Sequence, residues 1–372
     1  MNWQELWEEL RSRYEYLPRL EVLVFEVVVV VGAFLSYRYL NARIERTAQH
    51  FVLLAIGVFL YEFFTSPMWQ VTGLGFWAYV YRDVSWIYTL AWTSLILLVV
   101  YFVDRVLKPP AGWRRFALYL LIVTPFSLLL EAVGLWLGVR GYSPETLAAA
   151  GPLRIPLLDV PLAGLYYAPV FMGLVLTFYK HWLPVIEPGP APVVHPWWVK
   201  RLGLLVVGVL LFEFAVEPMA MNSGFPSWSY IYHDMTLIMT GFWVALVGLC
   251  FLIVDRFLHR ADYRLRFAAI LALATIIATP IEGWYLAEGY RTYGPSAIEA
   301  FSGIKTLIGG IPIEVVAAIP IYLSLAIAFV RYWDGNVDQS LSMTPRGRPA
   351  SENLSIAAAT PGQGAGAAMQ RS

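Results

Sequence analysis

Charge is what this chain lacks most. Only 14% of its 372 residues are charged, and 26 Lys and Arg balance 26 Asp and Glu. An average soluble domain carries about 25% charge. A nucleic-acid binder needs a basic face to neutralise phosphates, so that class is excluded, and a water-soluble globular enzyme fits badly. Cys250 is the one cysteine, so an internal disulfide cannot form. Five histidines beside it leave little for a histidine- or thiolate-rich metal site, and no metal or cofactor is expected. There is no GxxxxGK[ST] loop and no histidine pair at helix spacing. The histidines His50, His181, His195, His233 and His259 fall near span ends or in loops, where water solvates most of them; His233, beside Asp234, is the one to test. Clustered aspartates are missing too. Asp334 and Asp338 have helical spacing but no companions, which disfavours ionisation of a prenyl diphosphate.

Apolar residues make up 59% of the chain and aromatics 16%, with a mean hydropathy of +0.61. A spanning helix needs about 20 mostly apolar residues. Nine runs qualify, over 20–40, 50–69, 84–104, 116–138, 157–179, 202–221, 234–255, 267–288 and 312–332. In lipid the backbone must satisfy its own hydrogen bonds, so the expected class is all-α and polytopic. Residues 1–18 put Trp3, Leu6, Trp7, Leu10, Tyr14 and Leu17 on one helical face, as in an interfacial or capping helix. Residues 19–49 then give a retained first span and its loop, since the apolar run is too long for a signal-peptide core. The proline-rich stretch 184–200 reads as a linker, and 335–372 as a disordered tail.

Lys and Arg crowd alternate loops: Arg38, Arg43 and Arg46; Arg105, Lys108, Arg114 and Arg115; Lys180, Lys200 and Arg201; Arg256, Arg260, Arg264 and Arg266. The positive-inside rule then places the N-terminus outside and the C-terminus in the cytoplasm, in a plasma or bacterial inner membrane.

Shifted by 151 residues, the chain matches itself without a gap. Glu62, Pro67, Asp83, Asp104, Glu131, Tyr142 and Pro161 face Glu213, Pro218, Asp234, Asp255, Glu282, Tyr293 and Pro312. Apolar composition alone does not align Glu, Asp, Pro and Tyr. The chain thus reads as one span followed by two parallel four-span repeats, 50–183 and 201–334. Asp104-Arg105 and Asp255-Arg256 read as helix-end salt bridges, Glu62 and Glu213 as links between helices.

Ionisable groups inside spans default to functional candidates. Glu131 and Glu282 sit deep and are shared; each is either a proton donor or an interhelix hydrogen-bonding group. The unshared acids Glu217, Glu288, Glu314 and Asp159 face Ser66, Leu137, Ala163 and Gly310. An asymmetric reaction on a twofold scaffold would use such residues to steady a cation, remove a proton or orient water. Glu314 follows Pro312 in a helix's first turn, where a carboxylate is favoured in any case. Asp83 and Asp234 stand at span starts, as ordinary caps or as site residues. Buried carboxylic acids beside rings suit protonation of an alkene, the ring faces steadying the carbocation. Trp77, Trp228, Trp284, Tyr285, Tyr293 and Tyr142 could line such a site or simply pack the spans.

Gly309-Gly310-Ile311-Pro312-Ile313-Glu314-Val315, followed by Pro320-Ile321-Tyr322-Leu323, resembles the proline-x-glutamate helix of the heterodimer-type lycopene cyclase domain. Glu282 with Gly289-Tyr290-Arg291-Thr292-Tyr293-Gly294, and Glu131 with Gly138 to Tyr142, resemble the Glu…Gly…Tyr pattern of the carotenoid hydratase family of bisanhydrobacterioruberin hydratase type. The resemblance covers the last two spans of each repeat. It implies acid-initiated cyclisation or hydration of a lipophilic isoprenoid, a carotenoid ahead of a triterpenoid, taken from membrane lipid. Glu282 or Glu131 is then the expected acid. The rival readings are a transporter or proton-coupled carrier, for which midmembrane acids and helix-interrupting prolines also speak, and a structural scaffold.

Overall fold

The computed structural model describes residues 18–187 and 198–342. Nearly all of the segment 1–18, most of the proline-rich linker and the tail after 342 lie outside the described residues. Eleven helices are described: α1 (Leu20–Asn41), α2 (Thr47–Thr65), α3 (Trp86–Tyr101), α4 (Trp113–Leu137), α5 (Pro144–Ala150), α6 (Gly164–Trp182), α7 (Trp198–Val216), α8 (Leu237–Phe257), α9 (Tyr263–Ala287), α10 (Pro295–Ala300) and α11 (Ile313–Ser342). Seven stretches are long and apolar enough to cross a membrane: Leu20–Asn41, Thr47–Met68, Trp86–Leu107, Trp113–Leu137, Leu237–Phe257, Tyr263–Ala287 and Ile313–Val337. The protein is therefore a multi-pass membrane protein. The runs at 157–179 and 202–221 also form helices, α6 and α7, of 19 residues each. They stand apart from the seven in composition: α7 carries Lys200, Arg201 and Glu213, and α6 carries Pro169, Lys180 and His181. The last helix continues to Ser342, past residue 335 where the polar composition begins.

α6 and α11 pack against each other at the centre. α2 and α4 flank α6, while α2, α7 and α9 flank α11. α1 lies against α2 and α3, and its buried Glu26 accepts a hydrogen bond from the Gly75 amide at 2.6 Å.

Short antiparallel strands gather at one end of the helices. β1 (Trp69–Val71) pairs with β4 (Arg140–Tyr142) and β5 (Ala220–Asn222) with β8 (Arg291–Tyr293), with Trp69 opposite Tyr142 and Ala220 opposite Tyr293. β2 (Tyr79–Tyr81) and β3 (Val84–Ser85) form a hairpin, as do β6 (Tyr230–Tyr232) and β7 (Met235–Thr236). α4 stops at Gly138, whose φ of +69° is left-handed, and α9 stops just before Gly289, at +75°. A Cβ would strain both turns. Each turn feeds the strand that begins with Arg140 or Arg291.

Asp83 and Asp234 are not helix caps. Ser85 and Thr236 are: their hydroxyls accept from the Ile87 and Met239 amides at 3.2 and 3.1 Å. The aspartates belong to the hairpins. Asp83 Oδ1 accepts from the Val71 amide at 2.9 Å, and the Asp234 carbonyl accepts from Asn222 Nδ2 at 2.7 Å.

The opposite end is charged. Asp104 meets Lys180 at 2.7 Å and accepts a hydrogen bond from the Tyr119 hydroxyl. Asp255 meets Arg201 and Arg331, each at 2.7 Å. The neighbours Arg105 and Arg256 are not these partners, because consecutive helical residues point in different directions. Asp334 is held by bases: it is buried against Lys200 at 2.7 Å and Arg201 at 2.8 Å. His50 is buried too, not solvated. Its Nδ1 lies 2.8 Å from the Tyr179 hydroxyl, its Nε2 3.2 Å from Glu187.

Candidate functional site

Two cavities open at the strand end of the helices. The larger holds about 140 Å³ of space for water-sized molecules, the smaller about 70 Å³. Glu213, Glu217, Glu282, Arg291, Tyr293 and Glu314 line the larger one with rings of Phe212, Trp243 and Tyr322; the first half adds Phe63 and Phe64. The smaller is lined by Glu62, Glu131, Arg140, Tyr142, Trp92 and Phe171, together with Trp69 and Tyr167. Most of these positions stand 151 residues apart in pairs.

Four substitutions separate them. Trp69 and Tyr167 fill space in the first half, their ring centroids 6.4 Å apart; Ala220 and Ala318 take their places in the second. Ser66 gives way to Glu217, and Ala163 to Glu314. The larger cavity thus owes its room to two alanines and its extra acidity to two glutamates.

Glu282 and Glu131 do not fit the proton-donor role expected of them. Arg291 Nε lies 3.3 Å from Glu282 Oε1, and Arg140 Nε lies 3.2 Å from Glu131 Oε1. The Tyr293 hydroxyl donates to Glu282 Oε1 at 2.7 Å. A carboxyl group engaged by a guanidinium is an ion-pair partner, not an acid awaiting an alkene. Burial works against both arginine charges, but Glu131 and Glu282, together with the second glutamate and the phenols nearby, outweigh it and hold Arg140 and Arg291 above their ordinary values. Burial, then the adjoining glutamate, raises the Tyr142 and Tyr293 phenols, so both keep their protons. Tyr293 acts here through its hydroxyl. Glu62 and Glu213 link helices as expected, accepting from the Thr89 and Thr240 hydroxyls at 2.5 Å.

Glu217 and Glu314 differ from all of these. Glu217 is buried, with Oε1 3.3 Å from His233 Nδ1. Glu314 occupies the first turn of α11, its Oε1 accepting from the Ser302 amide at 2.5 Å. The Oε2 atoms of both are buried without a hydrogen-bond partner, as is the Tyr322 hydroxyl. An unsatisfied buried polar atom costs about 1–3 kcal/mol. Asn222 Oδ1 on the same wall is unpartnered too, and such atoms gathered on one cavity wall mark a place built to meet something.

The other expected residues lie elsewhere. Asp159 is exposed in a turn at φ +55°. Asp83 and Asp234 line neither cavity. Trp77, Trp228 and Trp284 are on the outside, with Trp228 70% exposed. Their positions in turns and at a helix end suit an interfacial belt rather than a pocket wall. Tyr285 is buried, but against Phe242 and Trp284. Sequence reasoning missed Arg140 and Arg291 as site residues. A signal was there: they stand 151 apart, each nine residues after its glutamate. The rings that do line the site, Phe212, Trp243 and Tyr322, were also missed, and nothing local in the sequence singles them out.

Among the described residues no group of three or more His, Cys, Asp or Glu converges as a metal site. What is assembled instead is a largely apolar chamber with two carboxyl groups free to act, an ion pair behind them and ring faces beside them. No family model, curated protein or solved structure matches this chain.

Proposed function

We propose that this protein is an integral-membrane enzyme that carries out acid-initiated carbocation chemistry on a carbon–carbon double bond of an isoprenoid, a cyclase or hydratase acting on a carotenoid or triterpenoid. One observation carries the reading: Glu217 and Glu314 each present an unpartnered carboxyl oxygen at the wall of the same apolar, ring-lined cavity. Glu217, entering the step as the carboxylic acid, gives its proton to one alkene carbon. The π electrons form the new C–H bond and leave a cation on the other carbon. Phe212, Trp243 and Tyr322 offer ring faces to steady it. A second double bond or a water then attacks, and Glu314, entering as carboxylate, takes up the proton released. The likeness of the Pro312-Ile313-Glu314 helix to the lycopene cyclase domain supports the same class.

The architecture we infer is an internal duplication, with nine spans, the N-terminus outside and the C-terminus in the cytoplasm. The paired cavities support the duplication. The helices α6 and α7 support nine spans. α6 runs from Tyr167 at the smaller cavity to Lys180 at the Asp104 cluster. α7 runs from Arg201 at the Asp255 cluster to Glu213 at the larger cavity. Each connects the two ends of the bundle, and 19 residues reach about 28 Å. Basic residues crowd the Asp104 and Asp255 end, so the cavities open toward the outer half.

Production of the chain in a host that makes linear and cyclic polyprenoids tests the proposal. A new isoprenoid product is expected, reduced about 100-fold or more by Glu217→Gln, as for loss of a general acid. An unchanged lipid profile, with the protein present and folded in the membrane, overturns it. The prolines inside the central helices, Pro169 and Pro320, favour a second reading, a proton-coupled carrier. Solute uptake without a new lipid would select that one.

A further inference from the structure

Glu217 meets the cavity with one oxygen and His233 with the other. Oε1 lies 3.3 Å from His233 Nδ1, and Oε2 is the unpartnered atom at the cavity wall. The two side chains differ in access to solvent. The Glu217 side chain is 4% exposed and that of His233 43%. His233 stacks on Tyr232, with ring centroids 4.3 Å apart, in the turn of the β6–β7 hairpin. Its φ of +42° turns the side chain out of the hairpin's regular alternation. The first half has the same turn with Arg82 at φ +45° and Ser66 where Glu217 stands. The histidine and its carboxyl partner therefore occur together, and only in the half with the roomier cavity.

We propose that His233 delivers protons from the exterior to the cavity through Glu217. This rests on Glu217 being the proton-bearing group of the cavity, and it holds equally for an enzyme and for a carrier. The step balances simply. The His233 imidazolium gives its Nδ1 proton to Glu217 Oε1 as Glu217 releases a proton from Oε2 into the cavity. Neutral imidazole then takes a proton from water. A carboxyl group relays in this way because its two oxygens face different surroundings. The charged and titratable groups around the pair are Asp234 beside His233, Tyr232 beneath it, and Tyr166 and Tyr167 on α6, both within electrostatic reach of Glu217. Glu213, Glu282, Arg291 and Glu314 line the same cavity. Of all these, His233 is the group joining Glu217 to the surface through a nitrogen that can carry a proton.

Full-length protein in lipid nanodiscs allows a test that needs no substrate. The infrared difference between wild type and Glu217→Gln isolates the Glu217 carboxyl stretch, and transfer into D2O reads its exchange rate. Two variants report on His233. Asn adopts left-handed φ readily, and His233→Asn keeps a hydrogen-bonding group without a transferable proton. His233→Arg keeps the positive charge, in the residue the first half already uses at this φ. The expected result is an exchange rate slowed about tenfold or more in both, in keeping with loss of a proton-transfer group. Wild-type exchange in either variant overturns the relay; rescue by Arg alone would show that His233 acts only as a charge. Absence of any carboxylic-acid band for Glu217 between about pH 5 and pH 8, the range over which histidine changes charge, would sink the relay together with the proposed acid. An exchanging band indifferent to His233 would sink the relay alone.

Discussion

Two small side chains decide which half of the molecule has room for a ligand. Ala220 and Ala318 stand where the first half has Trp69 and Tyr167, and the cavities differ accordingly, about 140 against 70 Å³. Restoring bulk should close the larger one. Ala318→Tyr is expected to abolish product formation or transport while leaving the unfolding temperature near that of wild type, since the new ring enters existing space. Activity assayed beside thermal unfolding in detergent checks both parts. The converse change, Tyr167→Ala, removes a buried ring and should cost about 3–5 kcal/mol, the usual penalty for emptying an aromatic site. At this scale the sequence was partly legible. Glu217 and Glu314 stood out because no acid matched them 151 residues earlier, and of the acids lining the larger cavity they are the two with a buried oxygen that lacks a partner. For Glu131 and Glu282 the sequence left proton donor and hydrogen-bonding partner as alternatives, because acids alone do not decide between them. A carboxyl group's role depends on what faces it across space, and the arginine that does so lies beyond a helix end.

Between residue and fold stands a recurring element: a helix carrying the glutamate, a left-handed glycine, and a short strand that begins at or beside the arginine. Gly138 and Gly289 reverse the chain so that Arg140 and Arg291 fold back on the last turns of α4 and α9. The product is a buried ion pair, and such pairs answer to partner loss more than to joint removal. Arg291→Met alone should destabilise by about 3–5 kcal/mol by leaving Glu282 uncompensated. Adding Glu282→Gln should return part of that loss, and a double-mutant cycle in denaturant measures the difference. Full additivity would mean the two groups do not interact. The hairpin before α8 gives a smaller effect. Thr236→Ala should cost about 1 kcal/mol through loss of the cap, whereas Asp234→Asn should leave the helix start intact. The helices themselves were legible as apolar runs. Their caps were not, because Asp83 and Asp234 are capping residue types two positions too early, and only the hairpin register shows that their backbone turns away.

For the whole molecule, topology turns on how many times the chain crosses the bilayer. Seven stretches satisfy length and apolarity, while α6 and α7 carry more polar residues. The two differ in burial: α6 is interior, whereas α7 buries only Leu205, Gly208, Val209, Glu213 and Ala215. α6 buries an almost continuous run from Val170 to Tyr179, so lipid need not solvate its polar groups. Lys180 and Arg201, the costly charges, are paired with Asp104 and Asp255. Both nine and seven crossings leave the termini on opposite sides, so tags at the ends do not separate them. The linker does. With nine crossings, residues 184–200 lie on the same side as the Arg-rich loops; with α6 and α7 not spanning, the linker stays on the opposite side. Cys250 is buried, and replacing it with Ala gives a cysteine-free background. In that background Ala191→Cys should resist a membrane-impermeant maleimide in intact cells and react once the membrane is opened. A control cysteine at Ser227, in the turn before β6, should react in intact cells. Labelling of both positions from outside would show that α6 and α7 do not cross. Shielding of the first with exposure of the second would place the cavities, and the exposed ring of His233, on the side away from the cytoplasm.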